Sequence, residues 1–123
     1  MDTSKEYIAM CDCPEILKAS RRHRDSMSFW RDANYPEFIG SPKAVWLPRQ
    51  DQLQEMVETI KDKNHLVFRF HKFLTNRYLK ISHHNSYIML MNTFDNGASM
   101  EQLWLAFVMW ELHQKKWDGG KWV

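Results

Sequence analysis

The chain has 123 residues, of which 44% are hydrophobic and 26% are charged, and its formal net charge is +2. These values are typical of one globular domain with one core, and the absence of any run of about eighteen apolar residues excludes a membrane-spanning helix. The small net charge by itself indicates no class of partner.

The beginning of the chain favours a cytoplasmic location. Residues 1–5 are polar, and a mixed, partly acidic segment follows where a secretory signal peptide would have its apolar stretch. The only cysteines, Cys11 and Cys13, are two residues apart and cannot cross-link distant parts of a fold. We therefore expect a cytoplasmic protein with two reduced thiols.

Two short helical segments are predicted next. Asp2 or Thr3 can cap a helix that ends near Cys11, because both side chains accept hydrogen bonds from the first backbone N–H groups of a helix. Pro14 either ends that helix or begins a second helical turn over 14–18, because proline is tolerated in a first turn. The basic run 18–24 has little apolar content, and we expect it to be exposed.

The middle of the chain predicts two short strands and then a helix. Aromatic and β-branched residues between turn-forming residues favour strands near 28–31 and 44–47. Pro48 or Asp51 can begin the helix, and Asn64 is a suitable left-handed residue to end it. Its apolar stripe consists of Leu53, Met56, Val57 and Ile60.

The segment 65–79 admits two interpretations. It contains both a strand-like alternation, in Leu66, Phe68 and Phe70, and a helical spacing, in Val67, Phe70, Phe73 and Leu74. We predict a helix, because the run is long and contains neither glycine nor proline. Further on, 87–91 fits a strand or a buried helical turn, and 93–97 fits a turn.

The last quarter of the chain carries the clearest structural signal. Ser99 and Gln102 have the spacing of a capping box, and the residues after them are apolar around most of the helix circumference. We expect this C-terminal helix to be buried on most sides. We also expect it to pack against the helix over 51–61.

A small hairpin is predicted after that helix. The run Asp118-Gly-Gly supplies the permissive backbone of a turn, which lets Trp117 face Trp122. No internal repeat or linker divides the sequence. The predicted fold is therefore a mainly helical α+β single domain over 1–123, with a dominant C-terminal helix and short strands or a terminal hairpin.

The sequence offers few residues for catalysis. The four glycines are too scattered for a phosphate-binding loop, and neither Gly-x-Ser-x-Gly nor His-Glu-x-x-His occurs. The six histidines lack the spacing of a zinc site. A small hydrolase or metal protein built on Cys11, Cys13 and His83 is the weakest of three hypotheses. We predict no catalytic residue, no cofactor and no metal.

Four segments carry a resemblance to known proteins. They are Cys11-Asp-Cys-Pro-Glu-Ile16, Trp46-Leu-Pro-Arg-Gln-Asp-Gln-Leu-Gln-Glu-Met56, Ser99-Met-Glu-Gln-Leu-Trp-Leu-Ala-Phe-Val-Met109 and a closing Lys-x-Trp-x-Gly-x-x-Trp-Val pattern. Together they resemble a family of small uncharacterised proteins encoded by bacteriophages and prophages. That family has no established activity, so the resemblance implies only a context, an accessory protein that works inside a bacterium.

The leading functional hypothesis is a non-enzymatic accessory protein that acts by protein–protein interaction. Its partner is unknown and could be a bacterial host factor. Tryptophan and arginine are frequent at the centres of interfaces, and a helix start presents free N–H groups to anions. The candidate contact residues are Trp117, Trp122, Arg49 and Gln50.

The alternative is a nucleic-acid-binding accessory protein. Basic clusters at 18–31 and 61–80 could bind phosphates, and nearby aromatic residues could stack on bases. The candidate residues are Arg21, Arg22, Arg24, Lys72, Arg77 and Lys80. The chain as a whole is only mildly basic, which favours the first hypothesis.

Overall fold

A computed structural model of the chain describes residues 1–23, 29–31, 44–57, 62–75 and 98–123. The helices within these ranges are α1 (Lys5–Cys11), α2 (Pro14–His23), α3 (Gln50–Met56), α4 (Lys63–Phe73) and α5 (Met100–His113). The strands are β1 (Phe29–Arg31) and β2 (Val45–Leu47). The predicted class is confirmed, because the described residues form a small, mainly helical α+β fold with a long C-terminal helix.

α5 lies at the centre of the described core. All eight side chains from Gln102 to Met109 are buried, as expected for a helix whose apolar residues cover its whole circumference. The helix packs against α1, α3 and α4, which confirms the predicted contact with the helix that begins near residue 51. Full burial of one large apolar side chain is worth about 1.5–3 kcal/mol, so these contacts stabilise the fold substantially.

β1 and β2 form a short antiparallel ladder in which Trp30 lies opposite Trp46. α1 and α2 both pack against β2. The Tyr7 hydroxyl of α1 donates to the carbonyl oxygen of Pro48, just after β2, at 2.6 Å. Because Tyr7 is fully buried, that bond fixes α1 beside the start of α3.

The first turn of α5 is hydrogen-bonded to the beginning of the chain. Ser99 Oγ accepts the backbone N–H of Gln102 at 3.1 Å, which confirms Ser99 as the N-cap. The Asp2 carboxylate accepts the Ser99 hydroxyl at 2.6 Å and the Gln102 side-chain amide at 2.8 Å. Asp2 therefore joins the N-terminus to α5.

Ser4 caps α1, where the sequence predicts Asp2 or Thr3. The Ser4 hydroxyl oxygen accepts the Tyr7 N–H at 3.2 Å, and the backbone N–H of Ser4 donates to Asp2 Oδ1 at 2.8 Å. The prediction is wrong because the Asp2 carboxylate is engaged with α5, so the helix begins beyond it.

Arg49 is the N-cap residue of α3, so the predicted starts at Pro48 and Asp51 are both wrong. The backbone N–H of Arg49 donates to Gln52 Oε1 at 2.9 Å, which supplies the cap from inside the helix. Pro48 serves a different purpose, because its carbonyl oxygen accepts the Tyr7 hydroxyl.

α2 is longer than the single turn predicted over 14–18, and it includes most of the basic run. Lys18, Arg21 and Arg22 are exposed, as expected. Ser20 is the exception, since it is 3% exposed and its hydroxyl donates to the carbonyl oxygen of Leu17 at 2.6 Å. Lys18, Arg21 and Arg22 therefore lie on the outer side of a helix whose other side, with Ile16 and Ser20, is buried.

The helix predicted within 65–79 is confirmed over the extent of α4. Asp62 Oδ1 accepts the N–H of Asn64 at 2.9 Å, so Asn64 lies in the first turn of α4 and its predicted left-handed role is wrong. Val67, expected on the buried stripe, is 58% exposed. The buried positions are Leu66, Phe70, Phe73 and, just after the helix, Leu74. The segments 76–79, 87–91 and 93–97 lie outside the described residues.

Asp2→Ala is expected to lower the free energy of unfolding by about 1–2 kcal/mol, because it leaves the Ser99 hydroxyl and the Gln102 amide without their acceptor. Denaturant unfolding at neutral pH measures this loss. Asp12→Asn removes an exposed carboxylate from the end of α1 and is the matched control. Equal stability of Asp2→Ala and the wild type would contradict the role given to Asp2.

The same contact predicts a dependence on pH. Burial alone would raise the pKa of Asp2, but hydrogen bonds from Ser99, Ser4 and Gln102 outweigh it and hold that pKa below its ordinary value of 3.8. A lowered carboxyl pKa stabilises the fold above the ordinary value, and this contribution is lost as the pH falls through the lowered one. The stability difference between the wild type and Asp2→Asn should therefore shrink below about pH 4.

Candidate functional site

A groove of about 550 Å³ lies between α4 and α5. We call it the α4–α5 groove. Its lining residues are His65, Phe68, Arg69, Lys72 and Phe73 from α4, and Trp110 and Glu111 from α5. It therefore combines aromatic rings with cationic side chains.

The stacking of Phe70 on Trp104 sets the position of α4 on α5. The two ring centroids are 3.9 Å apart and the planes are 7° from parallel. Phe107 of α5 meets Phe70 edge-on, with centroids 5.6 Å apart. Because Phe70 points toward α5, Phe68, two positions earlier on α4, is turned toward the rim of the groove and toward solvent.

Phe68 is the most exposed of the phenylalanine and tryptophan rings of the groove. Its side chain is 57% exposed, and Lys72, one turn further along α4, places its Nζ 5.7 Å from the centroid of that ring. Trp110 has a similar neighbour, since Lys116 Nζ lies 5.5 Å from the Trp110 ring centroid. Two aromatic rings of one groove are thus each paired with an ammonium group.

The charge along the groove is mainly positive. Glu111 is the one carboxylate among the lining residues, and its Oε2 accepts Arg69 Nη2 at 2.6 Å. Lys72 forms no ion pair with any residue that the structure describes. The groove can therefore attract a negatively charged group without first breaking an internal salt bridge at Lys72.

The described side chains of the groove are aromatic rings, basic groups and one carboxylate. It contains no hydroxyl or thiol nucleophile, and its single carboxylate is bound to Arg69. Within the described ranges, no group of three or more histidine, cysteine, aspartate or glutamate residues could hold a metal ion. None of the described helices is long and apolar enough to cross a membrane.

The structure places Trp117 and Trp122 in contact with each other and with α1. They form an antiparallel bridge with ring centroids 5.1 Å apart, which confirms the predicted hairpin. Trp117 Nε1 donates to Glu6 Oε1 and Trp122 Nε1 donates to the carbonyl oxygen of Met10, both at 2.8 Å. Both rings are half-buried and hold the hairpin against α1, and their proposed contact with a partner stays a prediction.

Arg49 and Gln50 lie at the start of α3, where Arg49 is the N-cap and Gln50 is the first helical residue. Arg49 Nε donates to Asp51 Oδ1 at 3.0 Å. That hydrogen bond lowers the pKa of Asp51 below its ordinary value of 3.8. The Arg49 guanidinium is thus already bound to a carboxylate of its own helix, and its role toward a partner is also untested.

The candidates for nucleic-acid binding are divided between two parts of the fold. Lys72 lines the α4–α5 groove, whereas Arg21 and Arg22 lie on the exposed face of α2. Arg24, Arg77 and Lys80 lie outside the described residues. Of the three candidates that the structure describes, Lys72 lies beside an exposed aromatic ring.

Both thiols of the third hypothesis are ordinary, protonated thiols at neutral pH. Burial raises the pKa of Cys11 well above 9.0 and that of Cys13 to about 11. A cysteine nucleophile needs the thiolate, and His83 lies outside the described residues. The described part of this constellation therefore lacks the activation that a hydrolase requires.

Of the residues that line the α4–α5 groove, only Lys72 is a candidate from sequence alone. Phe68 fits the strand-like alternation of 65–79, so its position on the outer face of a helix is not visible in that pattern. One signal could have found it, since Phe68 and Lys72 are four residues apart and meet on one helix face.

Trp122→Ala is expected to lower the free energy of unfolding by about 2 kcal/mol, because a half-buried ring and its hydrogen bond to Met10 are both removed. Trp122→Phe keeps most of the ring and should cost about 1 kcal/mol. Denaturant unfolding measures both variants, with the exposed Lys121→Ala as control. If Trp122→Ala were as stable as the wild type, the Trp122 ring would have no structural role and would remain a candidate contact for a partner.

Cys13 is expected to react slowly with iodoacetamide at neutral pH, and its rate should rise until the pH reaches about 11. Cys11 should react only after unfolding, because it is buried. Mass spectrometry of the labelled native protein distinguishes the two sites. Rapid labelling of either thiol at neutral pH would revive the thiolate hypothesis.

No protein-family model matches this chain, and no curated protein or solved structure matches it significantly. The feature that distinguishes the described side chains is the aromatic and cationic α4–α5 groove.

Proposed function

We propose that this protein acts without catalysis, by binding an acidic segment of a partner protein in the α4–α5 groove. The resemblance to phage-encoded proteins supports a role as a phage accessory protein in the bacterial cytoplasm, with a host factor as the partner. The observation that carries the proposal is the exposed ring of Phe68 among the cations of this groove.

The exposed ring supplies the apolar part of the binding energy. Full burial of a phenylalanine side chain is worth about 1.5–3 kcal/mol, and Phe68 is 57% exposed in the free protein. A partner that covers this ring gains a substantial share of that energy. Trp110 extends the same apolar surface from α4 to α5.

The cations select the charge of the partner. Lys72 lies beside the Phe68 ring, and Arg69 is bound to Glu111 by an ion pair whose arginine side chain is 43% exposed. Rim charges of this kind raise the association rate and reject partners of like charge more than they add affinity. An acidic segment with an apolar anchor therefore matches the groove better than a basic or a purely polar one.

Single-stranded nucleic acid is the second candidate ligand. The pairs Lys72 with Phe68 and Lys116 with Trp110 put ammonium groups next to rings, and proteins that bind single strands combine such rings with a positive groove. The net charge of +2 ranks this candidate second. Its affinity would fall steeply between low and physiological salt.

The first test is a pull-down from bacterial lysate with the tagged full chain, in nuclease-treated and untreated halves. We expect a protein that is retained after nuclease treatment, and about tenfold weaker binding of that protein by Phe68→Ala. Val67→Ala is the matched control, because Val67 is equally exposed on the same helix but does not line the groove. Thermal melting verifies that both variants remain folded.

Two outcomes would contradict the proposal. Retention that disappears with nuclease would make nucleic acid the ligand. Equal binding by Phe68→Ala and Val67→Ala would remove the groove from the interface. A second pair of variants tests the charge of the groove. Lys72→Glu should weaken binding of the retained protein, whereas Lys63→Glu should not, since Lys63 is an exposed lysine of α4 outside the groove.

A further inference from the structure

A second groove, of about 230 Å³, lies between α2, α3 and the C-terminal half of α5. We call it the α2–α5 groove. Its apolar lining consists of Ile16, Ala19, Met56, Val108, Met109 and Leu112. The proposed function makes no use of it, so an inference about it is independent of that proposal.

The apolar lining continues from the core to the surface. Ile16, Val108 and Met109 are buried, whereas Leu112 is 43% exposed at the edge of the groove. Two of the lining residues are methionines, whose flexible side chains adapt to different apolar surfaces. The groove is thus an open apolar surface rather than a closed cavity.

The charged residues around this groove are mainly cations. Lys18 and Arg22 of α2 and His113 of α5 line it and are exposed. Neither Lys18 nor Arg22 forms an ion pair within the part of the chain that the structure describes. Lys18 and Arg22 are four residues apart, so they lie one helical turn from each other along one edge.

Glu15 is the one carboxylate among the lining residues, and its charge is already balanced. Its side chain accepts a hydrogen bond from Lys115, and that bond lowers the pKa of Glu15 below 4.5. The groove therefore presents an apolar floor and a cationic edge to whatever binds in it.

We propose that the α2–α5 groove binds one amphipathic, acidic helix of a partner protein. A volume of about 230 Å³ is smaller than the usual range for drug-sized ligands, about 300–1,000 Å³. It suits a few large aliphatic side chains on one face of a helix, the arrangement in which helices dock into apolar grooves. Glutamates flanking that face, one turn apart, would meet Lys18 and Arg22.

The two grooves lie on different sides of α5. Trp110 and Glu111 line the α4–α5 groove, whereas Val108, Met109 and Leu112 line the α2–α5 groove. Since successive helical residues are about 100° apart, these two sets point away from each other. A helix in one groove therefore leaves the other open, which would let the protein join two partners.

The test uses the full chain with its methionine methyl groups labelled for NMR and a synthetic helical peptide as probe. The peptide carries leucines at i, i+4 and i+7 and glutamates at the flanking positions. We expect the methyl signals of Met56 and Met109 to shift on titration, while the buried Met10, which lies outside the groove, keeps its position. A peptide with lysine in place of glutamate should bind at least about tenfold more weakly.

Arg22→Glu should weaken binding of the acidic peptide about tenfold, and the neighbouring Arg21→Glu should change it less than about twofold. Both arginines are exposed on α2, but only Arg22 lines the groove. Leu112→Glu should also abolish the shifts. Phe68→Ala should leave them unchanged, so failure here is distinguishable from failure of the proposed function.

Several results would overturn this inference. Unmoved Met56 and Met109 signals, or equal effects of Arg21→Glu and Arg22→Glu, would show that the acidic peptide does not occupy the groove. Shifts with dodecanoate but not with the peptide would make the groove a fatty-acid site. Shifts that depend on protein concentration alone would make a second copy of the chain its occupant.

Discussion

The burial of residues 102–109 of α5 is the constraint from which the other features of the fold follow. Over residues 102–109, α5 has apolar side chains on all sides and is buried. Several other elements must therefore surround it. α1, α3 and α4 do so, and each contributes buried apolar side chains to the contact. The two grooves lie where α5 emerges between these neighbours, and the residues of α5 beyond Met109 reach the surface there.

The ends of the chain complete this packing through polar contacts. Asp2 binds the first turn of α5, and Trp122 donates to the carbonyl oxygen of Met10 at the far end of α1. Lys116 and Val123 exchange backbone hydrogen bonds that close the hairpin. α1 is thus held between the beginning and the end of the same chain, although it has only seven residues and would be marginal by itself.

Patterns of neighbouring residues predict the features of the fold that depend on short-range interactions. The Ser99 cap, the two strands and the facing Trp117 and Trp122 follow from neighbouring residues, and the structure confirms them. The cap of α1 was not predictable in this way, because Asp2 and Ser4 are both suitable caps and the choice depends on a contact with Ser99, 97 residues away.

The two grooves could not be predicted from the sequence for a similar reason, because their lining residues are brought together by contacts between distant helices. In 65–79 the helical pattern can include either Val67 or Leu66, because both are compatible with Phe70 and Phe73. Because Phe70 stacks on Trp104, the side of α4 that carries Leu66 is buried. Val67 and Phe68 are therefore exposed. In the sequence, Arg22 belongs to a basic run that fits a solvent-exposed face. Its position at the edge of a groove depends on the packing of α2 against α3 and α5, which are distant in sequence.

The contacts between the chain ends also determine when the protein can fold during its synthesis. Asp2 meets Gln102 across 100 residues and Trp122 meets Met10 across 112, and such distant pairings slow folding because a long loop must close first. α1 packs on β2 and on α5, and its contacts with α5 and the hairpin can form only after residues 99–122 have been synthesised. Until then the faces of α1, α3 and α4 that pack against α5 lack this partner, and the core is incomplete.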